Sequence, residues 1–302
     1  WTPIDVSAND DSTCVVYRNA TDVKRLYCWG NAYVRGDGGL FGGANDEPED
    51  PVGLNASVVD SAIELGYTSS ELTVAPHDVE QITMGEHFAC ARSYEGLVKC
   101  WGRNLDAALG IGNRTGHIGD GLHEMGEYQA FTDLGSNLSA VDIDAAAYHV
   151  CAAMATGEVR CWGSATNMHL GIGSSSGYVG DDPNEMGDNM QVLSPPSGEK
   201  FVEVASSREA SCARTDAGNV HCWGDQAYML QHPTINSDFA YSDQRTMPLK
   251  DKAVKISMGF GHACALLQTH EVQCCGQGNS GELFTGNQSQ NNLHQNDPVI
   301  DF

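Results

Sequence analysis

The apolar positions of this chain form a unit that recurs five times. An aliphatic residue (Val6, Ile82, Ile143, Val204, Ile256) stands eight positions before a cysteine (Cys14, Cys90, Cys151, Cys212, Cys264). A small or branched residue follows that cysteine directly: Val15, Ala91, Ala152, Ala213 and Ala265. A second aliphatic (Leu26, Val98, Val159, Val220, Val272) comes two positions before a second cysteine (Cys28, Cys100, Cys161, Cys222, Cys274). In four copies that cysteine opens Cys-Trp-Gly, with Trp29, Trp101, Trp162 and Trp223. Gly96, Gly157 and Gly218 fall at one fixed offset between the cysteines, where a tight turn needs a residue tolerant of positive φ. Short apolar segments bounded by glycine turns predict strands, and each copy predicts a hairpin. Helical periodicity is scarce, and the best candidate is a short helix near Leu122 to Gln129.

The spacing fixes a register. In four copies the cysteines are ten positions apart, and Cys14/Cys28 is a stretched version. If Cys90 faces Cys100, then Ala91 pairs with Lys99 and Arg92 with Val98, leaving a turn around Tyr94 to Gly96. Opposed residues in an antiparallel pair hold their Cβ atoms about 4.5–5.5 Å apart, and the closer sites accept a disulfide. Each pair is therefore expected to close its own hairpin. Zinc is the alternative, since eleven cysteines and eleven histidines are present. Structural zinc favours close C-x-x-C knuckles, and the chain has none.

Intervals of 72, 61, 61 and 52 residues separate successive second cysteines, room for one four-stranded blade and a long loop each. The expected fold is all-β: a β-propeller of about five four-stranded blades, forming one domain over residues 1–302. The end of the chain, Asp297 to Phe302, reads like the segment upstream of each aliphatic position, for example Ala130 to Gly135. The start, Pro3 to Val6, supplies the next strand. Pairing of the C-terminal strand with the N-terminal blade would close the array and remove its exposed edges. The alternative is an array that continues into further residues.

These motifs resemble the regulator of chromosome condensation repeat, a β-propeller family usually of seven blades. His149-Val-Cys-Ala152 and His262-Ala-Cys-Ala265 fit the middle of its repeat, Val159 to Gly163 the strand after the turn, and Leu109-Gly-Ile-Gly112 and Leu170-Gly-Ile-Gly173 its loop element. The resemblance covers essentially the whole chain. Nuclear members lack the cysteine pairs, so nucleotide exchange on a small GTPase and chromatin docking are not carried over.

Disulfides of this kind imply an oxidising compartment, so the chain is expected to be extracellular, secreted or at a cell surface. Five sequons, at Asn19, Asn55, Asn113, Asn137 and Asn287, agree with N-glycosylation. With no initiator Met or leader, the sequence reads as a mature or excised portion, and no apolar run is long enough to span a membrane. Sixteen basic against forty acidic residues give a net charge of −24, which disfavours nucleic-acid binding.

No H-E-x-x-H helix or P-loop is present, no catalytic residue is assigned, and the chain is expected not to be an enzyme. No cofactor is expected, and no metal is favoured. His87, His149 and His262 could gather a metal at one end of a channel, although their repeat position favours a structural role. Asp120, Glu124, Asp181 and Glu185 lie in two loops of pattern Gly-Asp-x-x-x-Glu-Met-Gly and are the calcium candidates. The competing reading makes the aspartates turn caps, with Met125 and Met186 packed beneath. Cys275 stands where four copies have tryptophan; it is a free buried thiol or an interchain link. The expected role is a non-catalytic module of a surface, matrix or appendage, whose partners are other extracellular proteins or copies of itself. The alternative is a recognition module for a soluble protein or a glycan.

Overall fold

A computed structural model describes residues 1–9, 12–30, 79–114, 116–119, 124–125, 128–196, 198–225 and 245–276. The chain divides into two compact units, Trp1–Ala140 with Gly180–Asn189, and Val141–Val179 with Met190–Phe302.

In the first unit, β1 (Thr2–Ala8), β2 (Ser12–Arg18) and β3 (Lys24–Gly30) form a three-stranded antiparallel sheet. A second sheet runs β4 (Val79–Met84), β5 (Phe88–Ser93), β6 (Val98–Arg103) and β7 (His117–Ile118) in order. The second unit carries a four-stranded sheet of β8 (Ala140–Ala145, its first residue in the other unit), β9 (His149–Met154), β10 (Val159–Ser164) and β11 (Tyr178–Val179). Next come four strands, β12 (Phe201–Ser206), β13 (Ala210–Thr215), β14 (Val220–Gly224) and β15 (Arg245–Thr246). Last are three, β16 (Ala253–Met258), β17 (His262–Leu267) and β18 (Val272–Gly276). Three of the sheets thus have the expected four strands, and the first and last have three among the described residues.

The hairpin register follows from cysteine spacing. Cys90 faces Cys100, Ala91 faces Lys99 and Arg92 faces Val98. Five disulfides close five hairpins, Cys14–Cys28, Cys90–Cys100, Cys151–Cys161, Cys212–Cys222 and Cys264–Cys274, with Cα atoms 4.0–4.1 Å apart. That separation marks the narrow pairs of an antiparallel ladder. Gly96, Gly157 and Gly218 turn with φ of 83°, 99° and 86°. A Cβ on Gly157 would lie 2.7 Å from Lys200 Cγ and 3.1 Å from Lys200 Cα, while the Gly157 carbonyl accepts the Phe201 N–H at 2.9 Å. Gly157→Ala should therefore lower stability by about 1–3 kcal/mol in chemical denaturation. His270 occupies the same turn position with φ 69°, so His270→Gly should move the other way by under about 1 kcal/mol.

Within each unit, consecutive sheets pack by one rule. The disulfide face of one sheet meets the tryptophan and aliphatic face of the next. Cys14, Val16 and Leu26 pack on Ile82, Ala91 and Trp101. Cys151, Val159 and Cys161 pack on Val204, Ala213 and Trp223. Cys212, Val220 and Cys222 pack on Ile256, Ala265 and Cys275. A hydrogen bond stitches each junction: the residue before one sheet's aliphatic position accepts the N–H of the aliphatic in the next sheet. Asp5 Oδ2 accepts from Ile82 (2.7 Å), Asp142 Oδ2 from Val204 (2.8 Å) and Glu203 Oε1 from Ile256 (3.2 Å).

The segments upstream of the aliphatic positions attach to the preceding sheet, not to the one they introduce. Thr132, Leu193 and Met247 donate their N–H groups to the carbonyls of Val98, Val159 and Val220 at 2.8–2.9 Å. A long loop returns across the sheet it leaves before the chain enters the next. The expected closure through Asp297 to Phe302 lies outside the described residues, as do four of the eight residues of the helix expected near Leu122 to Gln129.

Candidate interaction surface

The turn joining the first two strands of each sheet is built the same way in every copy. The N–H groups of Asn9, Gly85, Ala146, Ser207 and Gly259 donate to the carbonyls of Ser12, Phe88, His149, Ala210 and His262 at 2.8–3.0 Å. The glycine of Cys-Trp-Gly lets the third strand lie against this turn. A Cβ on Gly163 would stand 2.5 Å from the Tyr148 carbonyl, which accepts the Ser164 N–H at 3.0 Å. A rigid backbone thus presents the turn side chains. In the first unit they are Glu86 and His87, with Glu86 Oε1 3.9 Å from His87 Nε2.

The second unit places Tyr148, Arg208, Glu209 and Phe260 at the equivalent turns. Arg208 Nη2 donates to the Tyr148 hydroxyl at 2.9 Å, and its guanidinium lies 5.2 Å from the Tyr148 ring centroid. Glu209 Oε1 stands 3.6 Å from Arg208 Nε, and Glu209 also accepts from Asn167 Nδ2. Phe260 is 58% exposed. Pre-oriented arginine and aromatic side chains on stiff turns suit non-covalent recognition.

The groups that could do other chemistry are committed elsewhere. His149 and His169 are buried and stacked, centroids 4.2 Å apart and planes 9° from parallel. Ser211 Oγ donates to the His169 carbonyl at 3.1 Å, so His149 Nε2–H donates to Ser211 at 2.7 Å. His169 Nε2–H in turn donates to the Ser164 carbonyl. Each imidazole therefore keeps a bare Nδ1 and stays neutral. Burial pushes His149 far down, helped by His169, and pushes His169 down to about 4. The Ser211–His149 contact is no nucleophile–base pair, because the histidine already carries the shared proton and no solvent reaches it. His87 and His262 are partly exposed at their own turns. Among the described residues no three His, Cys, Asp or Glu side chains group to hold a metal.

The calcium candidates split. Asp120 lies outside the described residues. Glu124 folds back to accept the Gly119 N–H at 2.9 Å. Glu185 accepts from Gly180, Asp181 and Asp182 at 3.0–3.2 Å. Burial opposes its charge, but the Asp182 and Gly180 N–H groups outweigh that and hold the carboxyl below its usual range. These glutamates hold their own loops. Met125 packs against the core between the first two sheets, and Met186 Sδ would lie 3.1 Å from a Cβ on Gly180. The Gly180–Asn189 loop is tied down further by Gly187 N–H on the Asp133 carbonyl (2.9 Å) and Asp188 on Ser136 (2.6 and 2.8 Å).

Cys275 is buried beside the Cys212–Cys222 disulfide, and burial pushes its thiol up to about 12. It is a covered free thiol, the second of the two readings having no access to a partner chain. Asn113 and Asn137 are exposed; Asn19 sits in the β2–β3 turn, its Oδ1 accepting from Thr21 and Val23. Asn55 and Asn287 lie outside the described residues. The chain also contains Gly173-Ser-Ser-Ser-Gly177, the pattern of a hydrolase nucleophile elbow. An elbow needs a strand-to-helix turn. Here the central Ser175 is exposed in a run of bends, and β11 follows instead of a helix. A G-x-G-x-x-G string begins at Gly276 and runs outside the described residues.

A cavity of about 310 Å³ lies between Gly96–Val98 and Phe131–Gly135, with Leu138. Beside it the Lys99 ammonium stands 4.7 Å from the Phe131 ring centroid, and burial lowers its pKa to about 8. Phe131, Thr132 and Asp133 line it together with leucine, valine and glycine residues, and it assembles no reactive pair.

With sheets, disulfides and turns in place, the class is an all-β repeat protein of the propeller kind. Residues 253–282, which include the hairpin closed by Cys264–Cys274, match the regulator of chromosome condensation (RCC1) repeat, and the chain is similar to RCC1 proteins over most of its length. It is 27% identical over 256 residues to the RCC1 domain-containing protein RUG3, mitochondrial, of Arabidopsis thaliana, covering 82% of this chain and 50% of that protein. It is 25% identical over 228 residues to the ultraviolet-B receptor UVR8 of Arabidopsis thaliana, covering 73% and 45%. The chain thus spans about half the length of the curated relatives it matches. Among solved structures it resembles human WBSCR16 (TM-score 0.68, 15% identity, 99% of this chain and 67% of that one). It also resembles Prp20p of Saccharomyces cerevisiae, a protein described with its binding to Gsp1p and histones (TM-score 0.60, 14% identity, 98% and 63%). Within the described residues no helix is long and apolar enough to cross a membrane.

Proposed function

We propose that this chain is a non-catalytic protein-interaction module of an oxidising, extracellular setting, used to build a surface, matrix or appendage structure. The observation that carries the reading is the disulfide in each of five sheets, a cross-link that persists where thiols are not kept reduced. Uniform stapling stiffens a scaffold whose polar and ionisable groups are spent on holding loops and junctions. The sequons at Asn113 and Asn137, both on exposed positions, support glycosylation. A glycosidase should lower the mass of the native protein, and an unchanged mass would remove that support. The decisive test is the native size of the protein in its source material, with cross-linking. Assemblies containing other chains or further copies are expected; a monomer at every concentration would contradict the assembly role.

The Tyr148–Arg208 pair with Phe260 favours a second reading, recognition of a soluble protein or a glycan by the turn surface. Arg208→Glu combined with Phe260→Ala should then weaken capture of that ligand at least about tenfold while leaving the thermal midpoint unchanged. Equal capture by the variant would exclude this surface.

A further inference from the structure

The cavity of about 310 Å³ lies wholly within the first unit and has a wall peculiar to the second repeat. One position before the second aliphatic, Leu97 stands where the other repeats have Arg25, Glu158, Asn219 and Glu271, and it is 36% exposed. In the third repeat Glu158 pairs with Arg160 at 3.0 Å. Leu97 and Lys99 occupy those two positions in the second, and the Lys99 ammonium turns to the Phe131 ring instead. An ion pair has been exchanged for an apolar wall of Leu97 and Phe131, which gains stability only when something covers it.

Hydrogen bonds pin both sides, so the space does not collapse. The Thr132 and Ala140 N–H groups donate to the carbonyls of Val98 and Gly96, each at 2.9 Å, and Leu138 N–H donates to the Gly135 carbonyl at 3.3 Å. Ligand pockets run from about 300 to 1,000 Å³, so this one suits a single ring.

The chain carries an occupant at the rim. Leu138, part of the lining, is the middle residue of the sequon Asn137-Leu-Ser139. Ser139 packs on the opposite wall, its Cβ 2.7 Å from the place of a Cβ on Gly96. Asn137 is exposed and turns with φ 58°, a left-handed conformation that asparagine tolerates. Among the described residues nothing holds its side chain. By contrast, the Asn19 amide oxygen accepts from Thr21 and Val23, and that of Asn113 accepts from Asn104 Nδ2 at 3.2 Å.

We propose that the first sugar of an N-linked glycan on Asn137 occupies this cavity as a structural ligand, its apolar ring face on Leu97 and Phe131. In forming the link, Asn137 Nδ2 attacks C1 of a lipid diphosphate-linked oligosaccharide. The diphosphate leaves with the bonding pair, and the nitrogen loses one proton. The proposal rests on the glycosylation in the proposed function and adds that, at this sequon, the sugar is part of the fold.

The experiment uses the chain produced through a secretory pathway. Three forms are compared: intact, trimmed by an endoglycosidase that leaves one sugar on each asparagine, and Ser139→Ala, which keeps Asn137 but removes the sequon. Glycopeptide mapping should find Asn137 occupied. Trimming should leave the thermal midpoint unchanged, and Ser139→Ala should lower it by about 2–4 °C. Leu97→Glu, the residue that two other repeats carry there, gives the readout specific to docking. It should lower the midpoint of the glycosylated chain by a similar amount and leave the Ser139→Ala chain unaffected, because only the former has a docked sugar to lose. Asn137 found without a sugar would overturn the proposal, and a bare Asn113 beside it would take the glycosylation support as well. An occupied Asn137 with Leu97→Glu acting equally in both backgrounds would overturn the docking alone and leave glycosylation standing.

Discussion

Trp223→Ala should destabilise the second unit by about 3–5 kcal/mol, measured by chemical denaturation with the disulfides intact. The indole is fully buried between Cys151, Cys161, Leu170 and Leu193 on one side and its own sheet on the other. Its Nε1–H donates to the His169 carbonyl at 2.8 Å. Truncation removes about 150–250 Å² of buried surface and opens a cavity in a rigid, cross-linked frame that collapses poorly. The His169 carbonyl would keep Ser211 as a donor, so packing and not an orphaned polar group supplies most of the loss. In the last repeat Cys275 fills the same position among Ala205, Ala263 and Met247, which shows that the site takes a small residue only where its neighbours are rebuilt. A loss below about 1 kcal/mol would mean that the sheets do not meet through this residue.

Acidification should unfold the second unit well before its carboxylates titrate, through the stacked histidines. Both are held below their unfolded pKa of about 6.5, by burial first. The unfolded chain therefore binds protons that the fold does not. The stabilisation is complete above about pH 6.5 and is lost as pH falls towards the folded values. For His169 the window runs from 6.5 to about 4, and at about 1.4 kcal/mol per pH unit it removes on the order of 3 kcal/mol. His149, pushed lower still, adds to this. The second repeat supplies a control, since Phe88 and Ala108 occupy the corresponding positions there. Carrying His149→Phe and His169→Ala together should flatten the stability profile between pH 6.5 and about 4.5. An unchanged slope would assign the acid sensitivity to other groups.

Hairpins, their register and their cystines were legible in the sequence because a strand alternates every two residues, so cysteine spacing alone sets which residues oppose. The turn glycines were legible for the same reason. What escaped depends on how separate sheets meet. The stitch from Asp5, Asp142 and Glu203 left a trace, an acidic residue just before three of the five aliphatics, but its partner lies a full repeat away. The attachment of the segment around Ala130 to Gly135 had no signal, since sequence order does not say that Thr132 turns back to Val98. The Gly-Asp-x-x-x-Glu loops carried two readings, calcium or turn caps, because sequence does not show the backbone N–H groups that Glu124 and Glu185 serve. The Tyr148–Arg208 pair joins turns from two repeats and had no local signature.

The most direct measurement is a disulfide map of the native chain, digested without reduction, with thiols alkylated before and after unfolding. Five linked peptides are expected, Cys14–Cys28, Cys90–Cys100, Cys151–Cys161, Cys212–Cys222 and Cys264–Cys274, with Cys275 alkylated only once the chain is unfolded. Peptides linked across repeats, or Cys275 recovered in a mixed disulfide, would contradict sheets that are each stapled to themselves.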